Sequence, residues 1–432
     1  MIIDFTIKNY LSIKNEILLS FLSNNKNIEK ELKIIPVENG RFNLYSFSAI
    51  YGPNASGKTN IVKALSDFRK IVLFSHRLDL DKPIPSYKPF KLAKETYGAP
   101  IKFEIEFITE EVRYTYKIEF SEKEILKEEL FFFPEGRKAK LFIRQKGKNI
   151  DYGTYFTGEK KQIETFLLPN RLFVSVAANS KNEILKPVFR FFRDVINIHV
   201  RMDSSNQPFH STTLELRDGK EKFKELLHKI LNAADLNVKD IKLIEDERIS
   251  DKLKIPEDIP IDLKKRIIDD FRFKPYIGHS IYDNGKITSE LEYFSLENEE
   301  STGTLKMYDI ASEILSALQK GVVLIIDEFN SGLHPLLNTF LVDLFINPNI
   351  NKKNAQLLVS THDTCVLDLS ILKREQIWFT DKNEFGSTEL YSLDEFNKNL
   401  IRDNSKYSKF YLDGRFKAVP ATSVNELLKG LF

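Results

Sequence analysis

A chain of 432 residues, 42% hydrophobic and 29% charged, has the makeup of a water-exposed globular protein. It exceeds what one core comfortably holds, so one large domain with an insertion, or two domains, is expected. A formal net charge of +2 argues against a strongly basic protein that coats nucleic acid, and the single cysteine, Cys365, excludes an intrachain disulfide framework and a cysteine-based zinc site.

Residues 1–21 alternate as two strands, through Ile3, Phe5 and Ile7, then Ile13, Ile17, Leu19 and Phe21, with a break near Asn9-Tyr10. This opening lacks the layout of a signal peptide. No later apolar run reaches the roughly 18 residues of a membrane span, so the cytoplasm is the expected compartment. Phe42 to Ile50 reads as a third strand running into a turn at Gly52. From Thr59 to about Phe74, Ile61, Val62, Leu65, Phe68 and Val72 fall at helical spacing. A loop with Pro83, Pro85 and Pro89 follows. Antiparallel strands are predicted over Ile101–Phe107, Arg113–Phe120, Ile125–Phe133 and Leu141–Gln145, and a buried strand over Arg171–Ala177.

The pattern changes between about 181 and 275. Lys220–Ala234 is an amphipathic helix with Phe223, Leu226, Leu227, Ile230 and Leu231 on one face, Lys239–Lys254 is charged, and Ile261–Phe271 reads as a second helix. Alternating strands resume over Ile281–Leu296. The expected division is 1–180, a helical insertion at 181–275, and 276–432.

Gly52-Pro-Asn-Ala-Ser-Gly57-Lys58-Thr59 fits G-x-x-x-x-G-K-[ST], with a strand before it and a helix after it. Glycines let backbone N–H groups curl around phosphate oxygens at a helix N-terminus. Gly52, Asn54, Ala55, Ser56, Gly57, Lys58, Thr59 and Asn60 are therefore the expected ATP contacts. Lys58 would reach the β- and γ-phosphates and Thr59 would hold Mg²⁺. Val322–Ile326 is an unbroken apolar strand ending in Asp327-Glu328, which places Asp327 for the Mg²⁺ shell and Glu328 to polarise the attacking water. A solvated strand end is the bland alternative.

Before that strand, Glu300-Ser301-Thr302-Gly303-Thr304 opens a helix-length run from Leu305 to Gln319. Ser301 and Gly303 form a second phosphate cradle, or a plain serine cap with a glycine nearby. Gln356-Leu-Leu-Val-Ser-Thr361-His362-Asp363 reads as a strand ending in histidine, where His362 would sense the γ-phosphate. Between them, Ser331-Gly-Leu-His334 either crosses an interface or lets His334 cap a turn before Pro335. The glutamine expected to line such a site stays open: Gln145, Gln162 and the stretch closing at Asn179 have equal claims. Cys365 reads as a small buried hydrophobe, and Asp79 and Asp81 as solvated loop charges.

This order of motifs resembles the ABC-type ATPase heads of SMC, RecF and OLD proteins. More narrowly, it resembles the AAA-family ATPases found beside abortive-infection genes, the RloA and AbiLi group. The likeness is carried by Phe5-Thr-Ile-Lys-Asn-Tyr10-Leu-Ser-Ile, the Gly52 loop, Glu300–Thr304, Asp327-Glu328 with Leu333-His334-Pro335, and Ser360-Thr-His-Asp363. Arg374-Glu-Gln-Ile-Trp378-Phe and Tyr411-Leu-Asp-Gly-Arg-Phe416 extend it toward the C-terminus. The resemblance implies an α/β P-loop fold with an antiparallel β subdomain and a helical insertion. It further implies an ATPase whose Ser301 and Gly303 serve the γ-phosphate of an opposite copy, hence a homodimer or larger homo-oligomer. Antiphage defence follows from it too, with a separately encoded effector such as a nuclease or toxin, and a phage-encoded trigger. The alternative is a DNA-repair head that binds nucleic acid. Lys220, Lys222, Lys224 and Lys229 could give it a basic face, although Glu221 and Glu225 interrupt them.

Overall fold

Three apolar segments, Phe47–Tyr51, Val323–Ile326 and Gln356–Ser360, are strands with every residue buried. Continuous burial is what a central parallel strand, covered on both faces, demands of its sequence. The computed structural model describes residues 1–23, 32–158, 160–178, 180, 182–199, 211–219, 221–247, 249, 253, 255, 264, 268, 271–396 and 406–419. The chain divides into two compact units: Met1–Val200 with Gly321–Phe329 and Val342–Phe432, and Arg201–Lys320 with Asn330–Leu341.

In the first unit a six-stranded sheet runs Ile196–His199, Val323–Ile326, Gln356–Ser360, Phe47–Tyr51, Ile377–Lys382 and Thr388–Ser392. The first five strands are parallel and the last is antiparallel, so the sheet is mixed as expected. A second sheet of seven antiparallel strands contains Ile2–Lys8, Ile17–Ser20, Ile101–Thr109, Val112–Phe120, Ile125–Phe132 and Ala139–Gln145, with Asp151–Tyr152 at its edge. Its strands alternate: Phe103, Ile105, Tyr116 and Ile118 are buried, while Lys102–Glu104, Arg113–Glu106 and Lys117–Glu119 pair on the other face. One wet face and one dry face is the usual state of an antiparallel sheet.

The helix Lys58–Phe74 is held against the dry face. Phe68 lies 5.0 to 6.4 Å, centroid to centroid, from the rings of Phe5, Phe103, Tyr116 and Phe192. Gln356 ties the two sheets together. Its Oε1 accepts the Ile2 N–H at 2.7 Å and its Nε2 donates to the Ile2 carbonyl at 3.0 Å, so a buried side chain takes the place of a neighbouring strand.

Two expectations change. Phe42–Ile50 is not one strand: Phe42–Tyr45 joins a small three-stranded sheet and Phe47–Tyr51 the central one. The break falls at Ser46, whose hydroxyl donates to the Lys33 carbonyl. Arg171–Ala177 is a helix over Phe173–Ala177, not a strand. A short apolar run suits either element, and here the buried Glu128 carboxylate decides by accepting the Phe173 and Val174 N–H groups at 2.7 and 3.0 Å.

The second unit has an antiparallel sheet of Asp240–Glu245, Phe273–Asp283 and Lys286–Ser295. Its helices include Ser211–Arg217, Glu221–Ala233 and Thr302–Lys320. This unit, Arg201–Lys320 with Asn330–Leu341, includes Ser301 and Gly303, while residues 181–200 belong to the first unit. Most of the predicted helix Ile261–Phe271 lies outside the described residues, as does Lys220. Among the described residues no helix is long and apolar enough to cross a membrane.

Candidate functional site

The phosphate loop rises from Phe47–Tyr51 and closes on the helix at Lys58. Asn54 and Ala55 stand exposed at its crown, while Gly52, Ser56, Gly57 and Lys58 are buried. Hydroxyl groups hold it from below. Thr388 Oγ1 donates to the Ser56 carbonyl at 2.7 Å, Ser56 and Thr380 share a hydrogen bond of 2.6 Å, and Asn60 Nδ2 donates to Ser12 Oγ at 2.7 Å. Gly57 has φ +113, and a Cβ there would overlap the Thr388 side chain; at Gly52 it would overlap the Thr380 carbonyl. Both glycines are thus fixed by close approach as well as by backbone conformation.

Lys58 Nζ donates to the Gly52 carbonyl at 2.7 Å and the Pro53 carbonyl at 3.0 Å. Burial pulls its ammonium down to about 8, against the opposing charges of Asp327 and Glu328. The loop lysine and the acidic strand end therefore share one electrostatic site.

Asp327 is buried, and the Ser360 hydroxyl donates to its Oδ1. The same Ser360 oxygen accepts the Glu328 N–H at 2.9 Å. Glu328 has φ +51, a left-handed conformation at the turn after the strand, and is exposed. That turn is braced by Phe329 N–H on the Ser360 carbonyl. Desolvation of the ring and the charge of Lys58 hold His362 below the usual imidazole value, and Glu328 opposes them. Lys58, Asp327, Glu328 and His362 thus come together at the carboxyl ends of adjacent strands, where open α/β sheets bind ligands. Thr59 and Asp327 offer a hydroxyl and a carboxylate, hard oxygen donors of the type Mg²⁺ takes.

Beside the loop lies a cavity of about 420 Å³ lined by Leu11, Ser12, Asn60, Tyr87, Phe90 and Lys382, among others. Lys88 also lines it and is fixed by an ion pair of 2.8 Å with the buried Asp67.

In the second unit Ser301 caps the helix Thr302–Lys320: its Oγ accepts the Thr304 N–H at 3.0 Å. A Cβ on Gly303 would meet Ser301 Oγ at 3.6 Å and the Gly332 carbonyl at 3.7 Å, so the signature and the Ser331–His334 turn adjoin. His334 Nδ1 accepts the Leu336 N–H at 3.3 Å, which is the turn-capping alternative. Glu300, just before Ser301, pairs with His279 at 2.7 Å.

Cys365 is exposed, contrary to the buried reading. It sits in the first turn of a short helix whose cap, Asp363, accepts the Cys365 N–H at 2.9 Å. Asp79 and Asp81 are exposed loop residues. Gln145 and Gln162 are exposed on the strand Ala139–Gln145 and the helix Lys160–Thr165, and Asn179 lies outside the described residues. Sequence reasoning passed over Ser360 as a partner of Asp327, and over Ser12, Thr380 and Thr388 under the loop. Only Ser360, adjoining Thr361-His362, carried a local signal.

The family described as "AAA domain, putative AbiEii toxin, Type IV TA system" matches residues 47–368, from the first residue of the loop-bearing strand past the His362 turn. No curated protein matches the chain in sequence. Among solved structures it is similar to the SMC head domain from Thermotoga maritima, at 12% identity and a TM-score of 0.39 over 90% of this chain and 98% of that one. It is also similar to the Smc head domain with an extended coiled coil bound to the C-terminal domain of ScpA from Pyrococcus furiosus. That likeness has 14% identity and a TM-score of 0.40 over 96% of this chain and 99% of the other.

Proposed function

Because the chain belongs to that AAA-domain family, we propose that it binds and hydrolyses ATP between two copies and so controls a separately encoded effector in antiphage defence. The observation that carries the chemistry is the shared electrostatic site of Lys58, Asp327, Glu328 and His362 at neighbouring strand ends. Lys58 exchanges the Gly52 and Pro53 carbonyls for β- and γ-phosphate oxygens. Loop N–H groups such as those of Ala55, Gly57, Lys58 and Thr59 complete the cradle, and the base lies toward Leu11, Tyr87 and Phe90. Mg²⁺ held by Thr59 and Asp327 would neutralise phosphate charge. Glu328 orients and polarises the attacking water, and His362 accepts or donates a hydrogen bond at the γ-phosphate. Ser301 and Gly303 of a second copy close the site with the N-terminus of a nineteen-residue helix.

The effector is a nuclease or toxin, and a phage product is the trigger. This part of the reading is supported by the likeness to abortive-infection ATPases and by the family's own description.

Light scattering after size exclusion tests the pairing. Glu328→Gln should show an Mg-ATP-dependent rise in mass that a second change, Ser301→Arg, removes. A mass that nucleotide leaves unchanged, or a rise that survives Ser301→Arg, overturns the composite site. Normal ATP turnover by Glu328→Gln would remove Glu328 from its role.

A further inference from the structure

Only Leu296 to Glu300 separate the strand Lys286–Ser295 from Ser301. Each of these residues is tied back to the hairpin of Phe273–Asp283 and Lys286–Ser295. Leu296 N–H donates to the Pro275 carbonyl at 3.1 Å, and Glu297 pairs with Lys274 at 3.1 Å. Asn298 Nδ2 donates to Ser295 Oγ at 3.2 Å, and the Glu299 carboxylate accepts the Ser295 N–H at 2.7 Å. His279 Nε2 meets Glu300 Oε1 at 2.7 Å. A carboxylate only accepts, so Nε2 carries the proton of that bond.

The last of these ties differs from the others in burial and place. The Glu300 side chain is 10% exposed, against 43% for Glu297, so little water is at hand to replace its partner. Glu300 is also the residue from which the chain enters the signature helix. Ser301 Oγ accepts the Thr304 N–H at 3.0 Å and shares a hydrogen bond of 2.8 Å with Thr304 Oγ1. Where that cap stands therefore depends on how the chain arrives at it. In the composite-site reading, on which this inference rests, Ser301 and Gly303 receive the γ-phosphate of a second copy. A carboxylate beside them opposes that phosphate least when it is held and paired.

We propose that His279 is a positioning residue of the composite site: through Glu300 it sets the entry into the signature helix and joins hairpin and cradle into one mechanical piece. Its ring is itself held, meeting Phe294 edge-on at 5.6 Å. Without this donor the turn samples other entries, and pairing around ATP falls by the competent fraction.

The test uses the full chain carrying Glu328→Gln, with Mg-ATP pairing read by light scattering over a dilution series. His279→Ala should raise the dissociation constant of the pair about tenfold, and His279→Gln, which keeps an N–H donor, should stay within about threefold of the parent. Tyr293→Phe removes a different hydrogen bond of the same hairpin, the one to Asp240 at 2.9 Å, and should leave pairing unchanged. Mg-ATP affinity is read with a fluorescent ATP analogue at a protein concentration too low for pairing. It should stay within about twofold in every variant, because the phosphate loop belongs to the other unit. An unchanged dissociation constant in His279→Ala overturns the inference. So does an equal loss in His279→Gln or Tyr293→Phe, or a parallel loss of Mg-ATP affinity. A Glu328→Gln parent that gains no mass with Mg-ATP instead overturns the composite site, and this inference with it.

Discussion

At the scale of the residue, Lys58 carries a pH signature. In the free protein burial sets its ammonium near 8, and bound phosphate charge raises that value. Binding therefore takes up a proton above about pH 8, and affinity must decline as pH rises through that value. Mg-ATP affinity should weaken about tenfold between pH about 7 and about 9, and Lys58→Arg should flatten the profile; titration calorimetry at the two pH values checks both. The glycines sort by their surroundings. Gly57→Ala forces a Cβ into Thr388 at φ +113, so a loss of about 2 kcal/mol or more is expected in urea unfolding, together with loss of nucleotide binding. A Cβ on Gly303 would make only ordinary van der Waals contacts. Gly303→Ala should leave unfolding within about 1 kcal/mol of wild type, yet abolish the ATP-dependent mass increase.

Among the elements, the helix Phe173–Ala177 depends on a residue far from it in sequence. Glu128 is fully buried and accepts from the Phe173 and Val174 N–H groups and from the Tyr116 hydroxyl, with Arg144 Nη1 3.5 Å away. Glu128→Ala would orphan two backbone donors and bury the Arg144 charge without its partner. A loss of about 3–5 kcal/mol is expected, measured as a shift in urea midpoint at constant slope. Far-ultraviolet dichroism should report the helix loss only weakly, since five residues are involved.

At the level of the whole molecule, the two readings of function divide on nucleic acid. Lys224 is engaged with Asp240 at 2.9 Å, and Lys242 lies 3.8 Å over the Tyr293 ring. These cations of the second unit are already partnered by its own residues. Duplex DNA should therefore change ATP turnover by less than about twofold, without the steep salt dependence of phosphate neutralisation. Strong, salt-sensitive stimulation would instead favour the DNA-repair reading.

Local chemistry was legible in the sequence. The strand–loop–helix around Gly52–Thr59, the apolar strand before Asp327-Glu328 and the alternation of the antiparallel sheet each rest on near neighbours in the chain. Periodicity and glycine spacing record such neighbours directly. What the fold decided were relations between distant residues. Glu128 made a helix of a run that reads equally well as a strand. Ser46 split one apparent strand between two sheets. Ser360 came under Asp327, and Gln356 reached Ile2 across more than three hundred residues. Such partners leave no period or spacing in a single sequence, because buried hydrogen-bonding groups are satisfied by whatever tertiary packing brings within reach.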